Sequence, residues 1–359
     1  MMRFSLSPKN TLIVRGPAEI TLLDGQATIL AAPLVPGLKK VVAGQKQIPI
    51  ETETRADLEI NLRKHGEIFE NLGSTIPASW KLAAETLREL RDGKVVLLGQ
   101  PDVGKSTLCV YLTNKLLQNG QSLGILDADI GQSDLGPPTT IAYAVSRQPI
   151  ISLQELIPER KLFIGRTSPT GVERKLTKAI HRLSKENTNQ LTIVNTDGWI
   201  ADLSAILHKI NLLTEIEPEI VLGLTFANEL EPILGSVRFH SLRVEASREV
   251  LERSRLDRRA IRAEGYRRFL EGAGCWNISL EQTHTSFPRL GRITASNRRG
   301  LIGLIVGILD RESYLLEIGI LTGLEHDVAT IYSRRPGTFH SIEVGYVRLS
   351  RSGREIGTL

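Results

Sequence analysis

The sequence predicts an α/β protein: a central domain with a parallel sheet flanked by helices, set between an N-terminal and a C-terminal β domain. Three observations predict it. Between about residues 94 and 245, apolar strand-like runs (Val95 to Leu98, Leu123 to Leu126, Leu162 to Ile164, Leu191 to Val194, Ile220 to Leu224) alternate with helical segments, the pattern of a parallel sheet buried on both faces. Ahead of this region, from Thr11 to about Ile60, the chain reads as short alternating strands. Behind it, after Cys275, short β-prone runs return.

In the N-terminal part Ile20 and Leu22 alternate with polar neighbours, Asp24-Gly25 supplies a turn, and Ala27 and Ile29 resume the alternation, which is hairpin patterning. A helix is expected over Trp80 to Arg91, with an apolar stripe at Leu82, Thr86, Leu87 and Leu90 and a stop at Asp92-Gly93. The C-terminal β runs are Leu301 to Ile308, Tyr314 to Ile320 and His340 to Val347. The resulting division is 1–78, 79–274 and 275–359.

A length of 359 residues is enough for two or three domains with their own cores. The run Leu301 to Leu309 is interrupted by Gly303 and Gly307 and falls far short of the roughly 20 apolar residues of a membrane span. No membrane partner is expected, and with no apolar leader at the N-terminus the expected location is cytoplasmic. Two distant cysteines, Cys109 and Cys275, suggest neither a disulfide framework nor a zinc site and fit a reducing compartment. A net charge of +5 would assist contact with a polyanion without requiring one.

Directly after the run Val95 to Leu98 stands Gly99-Gln100-Pro101-Asp102-Val103-Gly104-Lys105-Ser106-Thr107, a complete match to the phosphate-binding P-loop. The loop backbone turns its N–H groups toward phosphate oxygens, and the helix starting near Lys105 adds the positive end of its dipole. Lys105 is expected on the β- and γ-phosphates and Ser106 on Mg²⁺. The central domain is therefore a P-loop NTPase domain with ATP and Mg²⁺ as expected cofactors. No Asn/Thr-Lys-x-Asp segment for reading guanine follows, which disfavours a GTPase of the Ras type.

After the next apolar run comes Asp127-Ala128-Asp129-Ile130-Gly131-Gln132. Carboxylates at i and i+2 on an extended segment project the same way, and the end of a parallel strand is where phosphates are held in such sheets. One carboxylate, Asp127, can aid the metal; the other, Asp129, can accept a proton from an incoming hydroxyl. A pair of solvated loop acids is the bland alternative.

With these motifs the sequence resembles the Clp1/Grc3/Nol9 family of polynucleotide 5′-hydroxyl kinases. The P-loop ending Asp102-Val103-Gly104-Lys105-Ser106-Thr107 and the motif Asp129-x-Gly131-Gln132 match the family pattern, and three further segments follow in order. These are Thr167-Ser168-Pro169 followed by Lys175, then Asn195-Thr196-Asp197-Gly198-Trp199, then Arg253-Ser254 with Arg258, Arg259 and Arg262. The resemblance covers residues 94 to 270 best and implies transfer of the γ-phosphate of ATP to the 5′-hydroxyl of RNA, and of DNA as a second candidate.

It also implies roles. Asp129 orients or deprotonates the hydroxyl, with Gln132 beside it. Thr167 and Ser168 belong to a clasp on the substrate's terminal nucleotides, and Trp199 stacks on a base. Arg253 and Arg258 act from an arginine lid, about 248–270, with Arg262 on the substrate. Gly171-Val172-Glu173-Arg174 departs from the family's Asn-containing run, which bears on the choice between RNA and DNA. Protein partners in RNA processing are a further implication.

Read physically, Trp199 either stacks on a base, worth roughly 1–3 kcal/mol, or packs in the core. The segment from Arg248 to Arg268 mixes Arg with Leu251, Leu256, Ile261 and Phe269, consistent with a helix having one cationic face that would suit a migrating phosphate. Two other activities stay open on the sequence: a non-catalytic ATP-bound scaffold in an RNA-processing complex, and an ATPase that couples hydrolysis to conformational change.

Overall fold

The computed structural model describes residues 1–117, 120, 122–186, 190–247, 249–287 and 299–359; Arg248 of the arginine segment lies outside them. The chain forms two compact units, the first from residues 1–125, 145–156 and 187–253 and the second from 126–144, 157–186 and 254–359. Among the described residues no helix is long and apolar enough to cross a membrane.

The first unit opens with two small sheets. Met2–Leu6, Ala56–Leu62, Ala18–Gly25 and Lys39–Val42 form one, and Thr11–Arg15 lies between Gln47–Glu51 and Glu67–Asn71 in the other. In Ala18–Gly25 the residues Ala18, Ile20 and Leu22 point inward, as their alternation with polar neighbours dictates. The helix Ala78–Leu87 follows, and here the expected stripe is corrected. It buries Trp80, Ala83, Ala84 and Leu87, whereas Leu82 is 62% exposed. The anchor that decides the helix's rotation is Trp80. Its indole N–H donates to Glu245 O at 2.8 Å, and its ring lies 5.9 Å from that of Tyr111. A buried indole needs such an acceptor, and the small alanines let the helix approach its neighbours.

Within this unit Gly93–Leu98 runs parallel to Leu191–Thr196 on one side and to Ile220–Thr225 on the other, and Ile220–Thr225 is parallel to His240–Glu245. The strand Leu191–Thr196 is buried throughout, so no alternation marks it, as in a sheet covered on both faces. The helix Lys105–Leu117 is tied to the β region by Asn114, whose Nδ2 donates to Leu30 O and Ile150 O at 2.8 Å and whose Oδ1 accepts from Ile150 N at 2.9 Å. One continuous core runs from Leu6 through Trp80 to Val244.

In the second unit the run expected as a parallel strand around Leu162 is corrected as well: Arg160–Phe163 pairs antiparallel with Thr140–Ser146, Thr140 facing Phe163. The return from Ser146 to Arg160 contains a single 3-10 turn, Leu153–Glu155, and no α-helix, whereas a parallel connection is usually made through a helix. The helix Glu173–Ser184 buries Leu176, Ile180 and Leu183.

The arginine helix is Arg255–Leu270, shorter than expected from residue 248 onward. Ser254 caps it, accepting from Asp257 N, while the Asp257 carboxylate accepts from Ser254 N at 2.9 Å; such a box contributes about 1 kcal/mol. Its buried residues are Tyr266 and Leu270, and Leu256 is 75% exposed. A sheet of Gly274–Ser279, Val328–Ser333, Leu315–Glu325, Leu304–Leu309 and Ser341–Leu349 follows in that order, with His284–Ser286 parallel to the last and Glu355–Thr358 antiparallel to it.

Candidate active site

In the first unit the phosphate loop joins the strand Gly93–Leu98 to the helix Lys105–Leu117. Lys105 is nearly buried, and its Nζ donates to Gly99 O at 2.9 Å and Gln100 O at 2.7 Å. The cation thus lies against the loop's own carbonyls. Ser106 Oγ accepts from Asn195 Nδ2 at 3.2 Å. Gly198 lies so close to the loop that a Cβ there would stand 2.4 Å from Pro101 N, so only glycine fits. This contact ties the segment 195–199 to the loop, a link between two motifs that are almost 100 residues apart in sequence.

Asp102 adopts a left-handed backbone, φ 59°, which aspartate tolerates better than most residues. It is held there from outside the loop: Arg253 donates to the Asp102 carboxylate through its backbone N–H and its guanidinium, both at 3.2 Å. Arg253 also reaches Gln45 O at 3.5 Å. The sequence marked both residues but not their pairing.

Trp199 is half-buried. Its backbone N–H donates to Asp197 Oδ1 at 2.9 Å, its indole N–H to Asp202 Oδ2 at 2.7 Å, and its ring lies 5.9 Å from His208. Beneath it is an ion pair that the sequence did not reveal, Lys209 Nζ to Asp197 Oδ2 at 2.7 Å, with the lysine side chain wholly buried. Burial pushes the Asp197 carboxyl up, but Lys209 outweighs that and, with the Trp199 N–H, holds it below the usual carboxylate range.

In the second unit Asp127 and Asp129 organise the turn that follows the strand Leu123–Ala128. Asp129 Oδ1 accepts from Gly131 N at 3.0 Å and Gln132 N at 2.9 Å. Asp127 is fully buried; its Oδ2 accepts from Ser133 Oγ, Asp134 N and Leu135 N at 2.8–3.1 Å. Burial first, then the Asp134 carboxylate, pushes the Asp127 carboxyl up to about 6. The i, i+2 spacing therefore does not make two equivalent acids: Asp127 serves the turn, and Asp129 is fixed by backbone donors at its edge.

Thr167 packs on the same turn, its carbonyl oxygen 2.7 Å from where a Cβ on Gly131 would stand. Gln132 Nε2 donates to Gly131 O at 2.9 Å and to Arg258 O at 3.4 Å, which brings the arginine helix to the acidic turn. Gln132 Oε1 is buried without a hydrogen-bond partner among the described residues, a group that calls for a donor from a ligand or water. Ser168 Oγ lies 3.1 Å from Thr170 Oγ1. Arg262 forms a two-pronged contact with Glu355, at 2.5 and 2.8 Å. Glu355 sits 93 residues away in the last strand, and no local signal could have paired them.

Strand, glycine-lined loop and helix define a P-loop nucleotide-binding protein. The profile described as mRNA cleavage and polyadenylation factor CLP1 P-loop matches residues 99–272. Among relatives, a polyribonucleotide 5′-hydroxyl-kinase of Pyrococcus furiosus is 27% identical over 79% of this chain and 96% of its own length. A protein of the same description from Pyrococcus horikoshii is 29% identical over 79% of this chain and 94% of its own. Among solved structures, wild-type Clp1p in complex with Pcf11p superposes with a TM-score of 0.72 at 13% identity, covering 97% of both chains, which shows a shared fold. Together these matches show what the chain is similar to: the CLP1 P-loop across residues 99–272 and, over most of its length, polyribonucleotide 5′-hydroxyl-kinases.

Proposed function

We propose that this protein is an ATP-dependent polynucleotide 5′-hydroxyl kinase that transfers the γ-phosphate of ATP to the 5′ end of RNA, with DNA as a second acceptor. The observation that carries this reading is a complete phosphate loop in a chain that also presents Asp129, a carboxylate oriented by the N–H groups of Gly131 and Gln132. A phosphate loop alone serves many activities; an oriented base is what an alcohol acceptor requires. The description of the relatives as 5′-hydroxyl kinases over nearly their full length supports the same reading.

In the proposed reaction Gly99 to Thr107 cradle the ATP phosphates and Lys105 leaves its carbonyls for the β- and γ-oxygens. Asp129 takes the proton of the 5′-hydroxyl as its oxygen bonds to the γ-phosphorus, and the bond from that phosphorus to the ADP oxygen breaks. Arg258 and Arg253 stabilise charge on the group in transit, and Gln132, Thr167, Ser168, Trp199 and Arg262 are assigned to the acceptor strand. Mg²⁺, when bound, would supply positive charge that offsets the charge of the ATP phosphates. The Ser106 hydroxyl is a hard oxygen donor that fits such a cation. Asp127, with its oxygens already engaged by the turn, fits an outer role in that metal site.

The division into 1–78, 79–274 and 275–359, a cytoplasmic setting and protein partners in RNA processing complete the proposal. Cys109 and Cys275 are both free thiols, which fits a reducing compartment, and the solved Clp1p relatives are complexes with Pcf11p. The test is transfer of labelled γ-phosphate to matched 5′-hydroxyl RNA and DNA, with 5′-phosphorylated strands as control. ATP binding without transfer would favour the scaffold, and turnover indifferent to the strand's 5′ end would favour the coupled ATPase.

A further inference from the structure

We propose that the cavity between the helix Glu173–Ser184 and the C-terminal sheet is a second anion site, which takes backbone phosphates of the acceptor strand beyond its reacting end. The identity of the strand rests on the kinase reading; the site stands on its own geometry. Its volume is about 360 Å³, large enough for a short stretch of phosphodiester backbone. One wall is a row of bases, Lys175, Lys178 and Arg182. At i, i+3 and i+7 they share one helix face and span roughly 10 Å. The opposite face carries the buried Leu176, Ile180 and Leu183, so the amphipathic pattern holds the row toward the cavity.

Across from the bases stand Ser341 and Glu343 of one strand and His284 and Ser286 of the strand paired with it in parallel. Three cations against the one carboxylate leave an excess of two positive charges with His284 neutral. Two of the cations are already fixed. Lys175 pairs with Glu343 and donates to Ile164 O at 3.1 Å. Arg182 donates to Glu312 O at 2.6 Å with its guanidinium 4.1 Å from the Tyr314 ring centre. Prior ordering of this kind lowers the entropic cost of binding. Lys178 is exposed and can swing to a phosphate, and the serine hydroxyls add neutral donors.

The lining also says what is not recognised. Phe163 borders the cavity but is 3% exposed, with Lys175 over its ring. The ring of Tyr314 has Arg182 over it at 4.1 Å and Arg160 at 4.9 Å. Among the described lining residues the exposed ring is the His284 imidazole, so base stacking is confined to that edge and the ligand is read chiefly by its phosphates. That favours a strand, gripped without regard to sequence, over a free nucleotide. Continuity of the chain points the same way: the helix begins directly after the Thr167-Ser168 segment, with Val172 as its first flanking residue, so a strand held there is led along the base row.

The test uses Lys178→Ala and Lys178→Glu in the full chain, since an exposed lysine can be changed without disturbing the fold. Binding of a long 5′-phosphorylated RNA is measured across a salt series, and the KM for transfer is measured with a 5′-hydroxyl dinucleotide and with a long 5′-hydroxyl RNA. For Lys178→Ala the salt slope should fall by about 0.7, the value of one single-strand phosphate contact. The KM for the long RNA should rise toward that of the dinucleotide, more so for Lys178→Glu, while the KM for the dinucleotide and for ATP stays put. An unchanged slope with an unchanged KM for the long RNA overturns the proposal. So does an equal loss with the dinucleotide. Competition by a nucleoside monophosphate that Lys178→Glu abolishes would make this a free-nucleotide site and also overturn it. Absence of any transfer, with salt-dependent binding intact and weakened by the variants, would remove the kinase reading and leave the anion site standing.

Discussion

The phosphate loop of the first unit and the acidic turn of the second are both short segments that follow a buried strand, yet they are built differently. The loop works through its backbone. Its lysine rests on loop carbonyls, glycine is required where the segment 195–199 approaches it, and one outside ion pair, Arg253 with Asp102, holds its strained residue. The turn works through side chains: Asp127 accepts three hydrogen bonds on one oxygen, and Asp129 is aimed by two N–H groups. A site made of backbone demands particular residue types at fixed spacing and leaves a dense motif. A site made of side chains depends on single atoms.

That contrast can be broken by substitution, and the largest effect is expected at the turn. Asp129→Asn keeps the shape and the N–H contacts but removes the proton acceptor, so phosphate transfer should fall about 10²–10⁴-fold with ATP binding unaltered. Lys105→Ala should instead lose transfer and nucleotide affinity together. If Asp129→Asn transfers phosphate at a near-normal rate, the acid is not the base and the turn is a scaffold like the loop.

Next in size is Lys209→Met, which leaves Asp197 buried without its cation. Breaking one side of a buried pair costs about 3–5 kcal/mol, read as a lower denaturation midpoint in urea. The pH dependence sharpens it. Because Asp197 is held below the usual carboxylate range, its contribution in the parent protein is present above about pH 4 and lost as pH falls through the depressed value. In Lys209→Met burial outweighs the remaining Trp199 N–H contact, the carboxyl is pushed up, and acidification through its raised value should restore stability. A pH profile of the same sign in both proteins would show that Lys209 does not govern Asp197.

Gly198→Ala should cost about 1–3 kcal/mol through crowding against Pro101, appearing as weaker nucleotide binding with the affinity for RNA retained. Equal loss of both ligands would mean that the segment serves the two ends alike. Smallest, Trp199→Ala should weaken the acceptor strand by roughly 1–3 kcal/mol at unchanged ATP affinity. Loss of folding without a separable effect on the strand would make Trp199 a core residue.

Much was legible in advance because it is encoded locally. The phosphate loop, the acid pair and the buried strands around Val95, Leu191 and Ile220 each announce themselves within a few residues, since backbone turns and two-sided burial demand particular residue types at fixed spacing. Legibility failed where a distant partner chose between local options. The helix Ala78–Leu87 turned its Trp80 face inward because the indole found Glu245 O. Arg160–Phe163 became antiparallel because the return from Ser146 holds too little helix to cross over. The arginine helix began at Arg255 because Ser254 and Asp257 cap it there.

The sequence by itself determined that this chain holds a nucleotide's phosphates and carries an acid suited to a hydroxyl, because those tasks need contiguous residues. Tertiary structure alone decided which opposite charge each of the buried or half-buried charged groups meets. Arg253 meets Asp102, Lys209 meets Asp197, and Arg262 meets Glu355. Each is an ion pair whose members lie 12 to 151 residues apart. A charge's role depends on what faces it after burial, and that partner is set by packing rather than by its neighbours in sequence.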